Sequence, residues 1–176
     1  MDGRLFEKIM EIHPECASDE VWFVDLGAGL GKAMMLAAGY PWARLVGVEL
    51  DENLIWGLKR NLAKFAARVG KMPDWDVVAT DARTYRFPER PLMVFLFNPF
   101  CGEVLAEVIA NLVQRIETST EPVWVLYVNP VEAAFPEMWF ESVDGRCGGP
   151  FSGQVGWQLY RGHRGASHSP ALDNRP

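Results

Sequence analysis

The chain has 176 residues, 49 % hydrophobic and 23 % charged, with a formal net charge of −6. That length predicts one domain with a substantial core, and no apolar run approaches the roughly 20 residues of a membrane span. The acidity argues against a broad phosphate-binding surface, and so against nucleic acid, while leaving a small molecule or a basic protein segment as partner.

In chain order, Leu5, Phe6, Ile9 and Met10 fall on one face of a predicted helix over 3–12. Residues 21–26 form a β-prone run that contains Asp25. Glycines alternate at 27, 29 and 31, and a helix is expected over 32–39, closed by Gly39-Tyr40-Pro41. A second strand over 44–50 leads to Asp51-Glu52-Asn53, a cap with first-turn carboxylates. The helix behind it carries Leu54, Leu58, Leu62, Phe65 and Val69 in one stripe. A third strand is predicted over 75–79. Residues 92–97 are almost continuously apolar, as a central parallel strand covered on both faces requires. A helix over 102–117 and a fifth strand over 123–128 follow.

Beyond them, 138–143 and 155–160 read as two strands flanking a Gly- and Pro-rich stretch at 147–153, and as an antiparallel pair at the sheet edge. Residues 161–176 read as a disordered tail, leaving 1–160 as a single domain. Strands alternating with helices make the fold α/β, a doubly wound, mostly parallel sheet with an antiparallel pair at its C-terminal end.

Cys16, Cys101 and Cys147 are scattered and read as reduced thiols, and His13, His163 and His168 form no ligand cluster, so no metal is expected. The first residues carry no secretory core, and cytoplasmic residence is the expectation. The seven tryptophans are dispersed and read as packing residues. Lys59, Arg60, Lys64 and Arg68 read as the solvated side of a helix.

Function is concentrated in the segment from Asp25 to Gly31, Asp-Leu-Gly-Ala-Gly-Leu-Gly. Glycines alternating between a strand and a helix allow sharp turning and close ligand approach. A P-loop needs four residues between its first two glycines and a Lys-Ser or Lys-Thr pair, whereas Lys32 precedes Ala33. A dinucleotide fingerprint is Gly-x-Gly-x-x-Gly, which this spacing does not match. The Asp-x-Gly-x-Gly-x-Gly form resembles the first motif of class I S-adenosylmethionine (SAM) dependent methyltransferases, and the element order extends the resemblance over 20–160.

The resemblance implies a Rossmann-like, seven-stranded fold with SAM as cofactor. Gly27, Ala28, Gly29 and Gly31 would lie against its methionine part, with Asp25 orienting the loop. Glu49 lies 20 residues past Gly29, where a carboxylate can accept hydrogen bonds from ribose hydroxyls, with Leu50 beside it. Asp81 would meet the adenine amino group while the small Ala82 leaves room for the ring. Asp81 reads equally as the cap of a short helix into Arg83-Thr84-Tyr85.

Asn98-Pro99-Phe100 ends the central strand, where the family holds its fourth motif beside both cofactor and acceptor. It is similar to the Asn/Asp-Pro-Pro-Tyr/Phe motif of amino-group methyltransferases, short by one proline. It also resembles the Asn-x-Phe element of non-SET histone-lysine methyltransferases and an Asn-Pro-Phe box of certain bacterial methyltransferases. A carboxamide and a carbonyl there can accept N–H bonds and aim a nitrogen lone pair. A second Asn-Pro, Asn129-Pro130, ends the fifth strand and reads more readily as a turn.

The expectation is methyl transfer to a nitrogen of a small-molecule or protein acceptor, a protein lysine foremost, by a monomer or homodimer. Two alternatives stay open: a SAM-binding subunit that is non-catalytic or completed by a partner, and an NAD-dependent oxidoreductase.

Overall fold

The computed structural model describes residues 3–130, 135–148 and 155–164. Its helices are α1 (Gly3–Ile12), α2 (Lys32–Ala37), α3 (Glu52–Val69) and α4 (Gly102–Thr118). Its strands are β1 (Trp22–Leu26), β2 (Arg44–Glu49), β3 (Trp75–Ala79), β4 (Leu92–Phe97), β5 (Val123–Val128), β6 (Phe140–Arg146) and β7 (Trp157–Gly162). They form one sheet in the order β3-β2-β1-β4-β5-β7-β6. The first five strands run parallel, and β7 lies antiparallel between β5 and β6. This is the α/β architecture that the periodicity predicts.

The apolar runs explain which strands are central. Every residue of β4 from Leu92 to Leu96 is buried, because side chains alternate between two covered faces. One face packs Phe23, Phe95, Leu45 and Leu126 against α1, α2 and α3. Phe6 of α1 meets Phe23 and Phe95 edge-on, with ring centroids 6.0 and 6.1 Å away. The other face packs Val24, Val94 and Val125 against Leu105, Val108, Leu112 and Ile116 of α4. The buried Arg115 of α4 donates to the carbonyls of Pro88 (2.8 Å) and Arg90 (2.9 Å), fixing the approach to β4.

α3 starts where the sequence places a cap. The Asp51 carboxylate accepts the N–H groups of Asn53 (2.8 Å) and Leu54 (3.2 Å), satisfying donors that lack intrahelical partners. α2 stops at Ala37, short of the expected 39, as a turn forms in which the Tyr40 N–H bonds to the Ala37 carbonyl. β1 and β2 are each one residue shorter than expected, and α4 extends one further.

The antiparallel pair shifts toward the C-terminus. A turn in which Trp139 and Phe140 both donate to the Pro136 carbonyl delays β6 until Phe140. β7 runs through Arg161 and Gly162, which pair with Glu141 and Phe140. Those two residues are therefore strand, not tail; 149–154 and 165–176 lie outside the described residues. Trp42 and Trp157 are core residues as expected. Trp56 departs from that reading, being exposed beneath the guanidinium of Arg60.

His13 joins the N-terminal segment to the far edge strand. Its ring is nearly buried, with Nε2 3.0 Å from Asp144 of β6 and Nδ1 3.1 Å from Glu15. Two carboxylate acceptors require both ring nitrogens to donate, hence the imidazolium. Burial alone lowers the His13 pKa, but hydrogen bonds and charge from Asp144 and Glu15 outweigh it and leave it raised. The His13 hydrogen bond, then the Gly145 N–H, hold Asp144 below its usual range.

The histidine contribution is full below its unfolded pKa and lost as pH rises through the folded one. The aspartate contribution is full above its unfolded pKa and lost as pH falls through the folded one. Asp144→Asn should therefore destabilise more at about pH 5.5 than at about pH 8.5 in urea unfolding. The difference should be about 1 kcal/mol or less, because Asp144 is partly solvated.

Candidate functional site

The glycine loop is stitched to the neighbouring strand before any ligand enters. The N–H groups of Gly27 (2.9 Å) and Ala28 (3.0 Å) both donate to the Val48 carbonyl of β2. Gly29 N–H donates to Glu49 Oε2 at 2.9 Å. Glu49 Oε1 in turn accepts from Leu50 (2.8 Å) and Asp51 (3.0 Å), so one carboxylate organises two loops. The loop is thus held to Val48 and Glu49, and to α3 where the Asn61 side-chain amide donates to the Leu30 carbonyl at 3.0 Å; none of these bonds runs to Asp25.

Gly27, Gly29 and Gly31 all have positive φ, at 76°, 55° and 85°. Gly27 also has no room for a side chain, since a Cβ there would lie 2.6 Å from Pro99 Cβ. The loop after β1 therefore packs on the turn after β4, uniting the two motifs that the sequence singles out. On the side where Gly29 would carry a Cβ, by contrast, such an atom would meet nothing within 4 Å.

Asp25 stands at the end of β1 and is 3 % exposed. Burial, and then the charge of Glu49, push its carboxyl up to about 7 from the ordinary 3.8. It is a buried acid beneath the loop, part protonated and part ionised near neutral pH.

On the far side, Thr80 N–H donates to the Glu49 carbonyl at 3.0 Å and brings the end of β3 level with that of β2. Asp81 caps the short helical turn Ala82–Thr84 through Arg83 N–H (2.9 Å). The Arg83 guanidinium occupies both carboxylate oxygens, with Nη2 2.6 Å from Oδ2. That side-chain contact, then the backbone one, lowers the Asp81 pKa. The capping reading of Asp81 is thus the one the geometry displays. Ala82 is half-buried against the α4-side core, whereas Leu50 is 65 % exposed.

Asn98 leaves β4 with φ 43°, and Phe100 is half-buried against the α4-side core. Asn129 leaves β5 with φ 53°. Sequence reasoning passes over Arg83 as a partner of Asp81, a contact whose signal lay in the two-residue spacing.

Among the described residues no three His, Cys, Asp or Glu side chains converge as a metal-ligand set. No helix among them is long and apolar enough to cross a membrane.

No family model matches the sequence, and no curated protein matches it. Solved structures do match its fold. A candidate methyltransferase from Escherichia coli is 21 % identical, with a TM-score of 0.70 over 93 % of this chain and 87 % of its own. A candidate methylase from Haemophilus influenzae is 19 % identical, with a TM-score of 0.64 over 92 % and 98 %. An RNA methyltransferase from Salinibacter ruber, solved with S-adenosyl-L-homocysteine, is 15 % identical, with a TM-score of 0.56 over 98 % of both chains. The chain thus has the seven-stranded Rossmann-like methyltransferase fold.

Two measurements probe this site without a ligand. Gly27→Ala should destabilise by about 1–3 kcal/mol in urea, since it adds a methyl against Pro99 at a left-handed φ. Asp25 has a folded pKa above its unfolded one, so its contribution is full below about 4 and lost as pH rises through about 7. Asp25→Asn should therefore flatten the fall in stability across that interval; an unchanged slope would place the titration elsewhere.

Proposed function

We propose that this chain is a SAM-dependent methyltransferase acting on a nitrogen acceptor, a protein lysine foremost. The observation that carries the reading is the packing of the glycine loop between Glu49 and the Asn98-Pro99 turn. The fold shared with methyltransferases supports it, as does S-adenosyl-L-homocysteine in the Salinibacter relative.

The residues fit such a cofactor. Gly29 leaves open space above the loop. A carboxylate has about four acceptor sites, and Glu49 commits three to backbone N–H groups. A ribose hydroxyl can take the remaining site or replace a backbone donor. Gly27, Ala28, Gly29 and Gly31 would bound the methionine part, Leu50 and Ala82 the adenosine, and Asp81 the adenine amino group once turned from Arg83.

When bound, the cofactor supplies an activated methyl group on a sulfonium. The protein's part is alignment and exclusion of water. Asn98 accepts an N–H of the acceptor, Pro99 sets the turn from which it does so, and Phe100 walls the site. A positive cofactor beside Asp25 would favour its ionised form.

Calorimetric titration tests the cofactor. SAM and S-adenosyl-L-homocysteine should bind and NAD should not. Glu49→Ala should weaken binding by about 10- to 100-fold, the worth of hydrogen bonds to a charged group. Absence of SAM binding by folded protein would return the reading to an oxidoreductase. Transfer of labelled methyl to lysine-rich proteins, with RNA as the competing acceptor, tests the acceptor. Asn98→Ala should lower that rate on the order of 100-fold with S-adenosyl-L-homocysteine affinity little changed.

A second reading, a SAM-binding subunit completed by a partner, draws on Leu30, Leu50 and Trp56, all exposed about the start of α3. Cofactor binding with no transfer to any acceptor until a partner is added would favour it.

A further inference from the structure

Among the described residues, Asn98 and Asn129 are the non-glycine positions with positive φ, 43° and 53°. They occupy equivalent places. Phe97 of β4 and Val128 of β5 are register partners, so each asparagine is the next residue of its strand. Adjacent parallel strands lie about 4.8 Å apart, which brings the two asparagines out of the sheet side by side.

Each precedes a proline. A following proline disfavours the right-handed helical region, and both residues take the left-handed one in place of the extended one. Asparagine tolerates that region better than most residues, but glycine would adopt it without strain. The turn therefore needs neither carboxamide. The Asn129 backbone N–H is already used, donating to the Gly156 carbonyl at 2.7 Å. Neither side-chain amide hydrogen-bonds another described residue, whereas both oxygens of the Glu49 carboxylate and of the Asp81 carboxylate accept hydrogen bonds. Two carboxamides thus stand unengaged at one level, and Pro99, between Asn98 and the glycine loop, ties them to that loop.

We propose that Asn129 is a second catalytic residue of the methyl-transfer site and that, with Asn98, it selects primary amines. This rests on the methyltransferase reading above. A neutral primary amine has two N–H donors and one lone pair. With one donor on the Oδ1 of Asn98 and the other on the Oδ1 of Asn129, the lone pair is left with one direction. That pair forms the new N–C bond as the C–S bond of the methyl donor breaks and its electrons leave on sulfur. The product ammonium then releases a proton to water. A monomethylated product offers one N–H fewer, so the same pair of acceptors favours a single transfer.

The test uses sinefungin, the adenosyl amino acid that carries a primary amine where SAM carries its methyl. Its affinity is compared by calorimetry with that of S-adenosyl-L-homocysteine, which lacks the amine. Wild-type protein should prefer sinefungin. Asn129→Gly keeps the backbone conformation and removes the carboxamide; it should cut the preference about three- to tenfold while S-adenosyl-L-homocysteine affinity stays within about twofold. Asn129→Asp keeps an acceptor and adds charge, and should raise the preference; it decides the matter if the glycine variant does not fold. Absence of a sinefungin preference in the wild type, or a preference indifferent to both substitutions, overturns the role of Asn129 while leaving the cofactor reading intact. Failure of both compounds to bind folded wild-type protein overturns the cofactor reading itself.

Discussion

The site depends on one carboxylate receiving backbone N–H groups from two loops at once. Glu49 takes Gly29 on one side and Leu50 and Asp51 on the other. Charge-assisted bonds of this kind are stronger than neutral ones; the one from Gly29 fixes the rim of β1 to that of β2, while those from Leu50 and Asp51 hold the carboxylate against its own loop. The consequences run outward along the chain. Held to Glu49 and to the Val48 carbonyl, the loop must turn with left-handed residues, and it must lie low enough to touch Pro99. Neither requirement tolerates a side chain at position 27. The glycine pattern is thus a consequence of where Glu49 stands as much as of any ligand.

That anchorage is useful because the strands beneath it are rigid. β1 and β4 are central and buried on both faces, so their ends are held by two cores at once. Opening either end would expose apolar surface on both layers, which places them at the high-stability end of the molecule. β6 is different: its middle residues are exposed and its pairing with β7 carries an irregularity between Ser142 and Asp144. The asparagines proposed here follow directly on β4 and β5, and the exposed edge strand is held by His13 through Asp144.

The elements most legible in the sequence are those with a single strong periodicity. In α3, Leu58 and Leu62 are buried as their spacing requires and Leu54 and Phe65 half-buried, but Val69 at the end of the stripe is exposed and Ile55 beside it is buried; β3, β4 and β5 begin and end where the apolar runs do. The edge pair was legible as antiparallel, but its two strands begin two residues later than their patterns suggest, because their bounds are set by partners. Gly162 continues β7 because it packs so closely on α4 that a Cβ would meet Ile116, a tertiary fact invisible in a polar, glycine-containing segment. Asp81 was legible as a cap, since capping is local. Its closure by Arg83 was not read, although the two residues are only two positions apart in the chain. Trp56 was misjudged for the opposite reason: a large aromatic suggests burial, but Arg60 covers it at the surface.

Backbone conformation was the least legible property and bears most on chemistry. An Asn-Pro pair announces a strand end but not which conformation the asparagine adopts there. Both asparagines take the left-handed one, at matched register, and this turns two ordinary breakers into one paired feature. The electrostatics give the pairing its sense. Glu49 contributes charge, Asp25 is a buried acid poised near 7, and the two strand-end side chains are neutral amides. A neutral acceptor pair draws in an amine without fixing it as a cation, which a carboxylate in the same place would do. A nitrogen attacks only through a free lone pair, so the positions nearest the reacting atoms are best filled by groups that bind N–H without holding the extra proton.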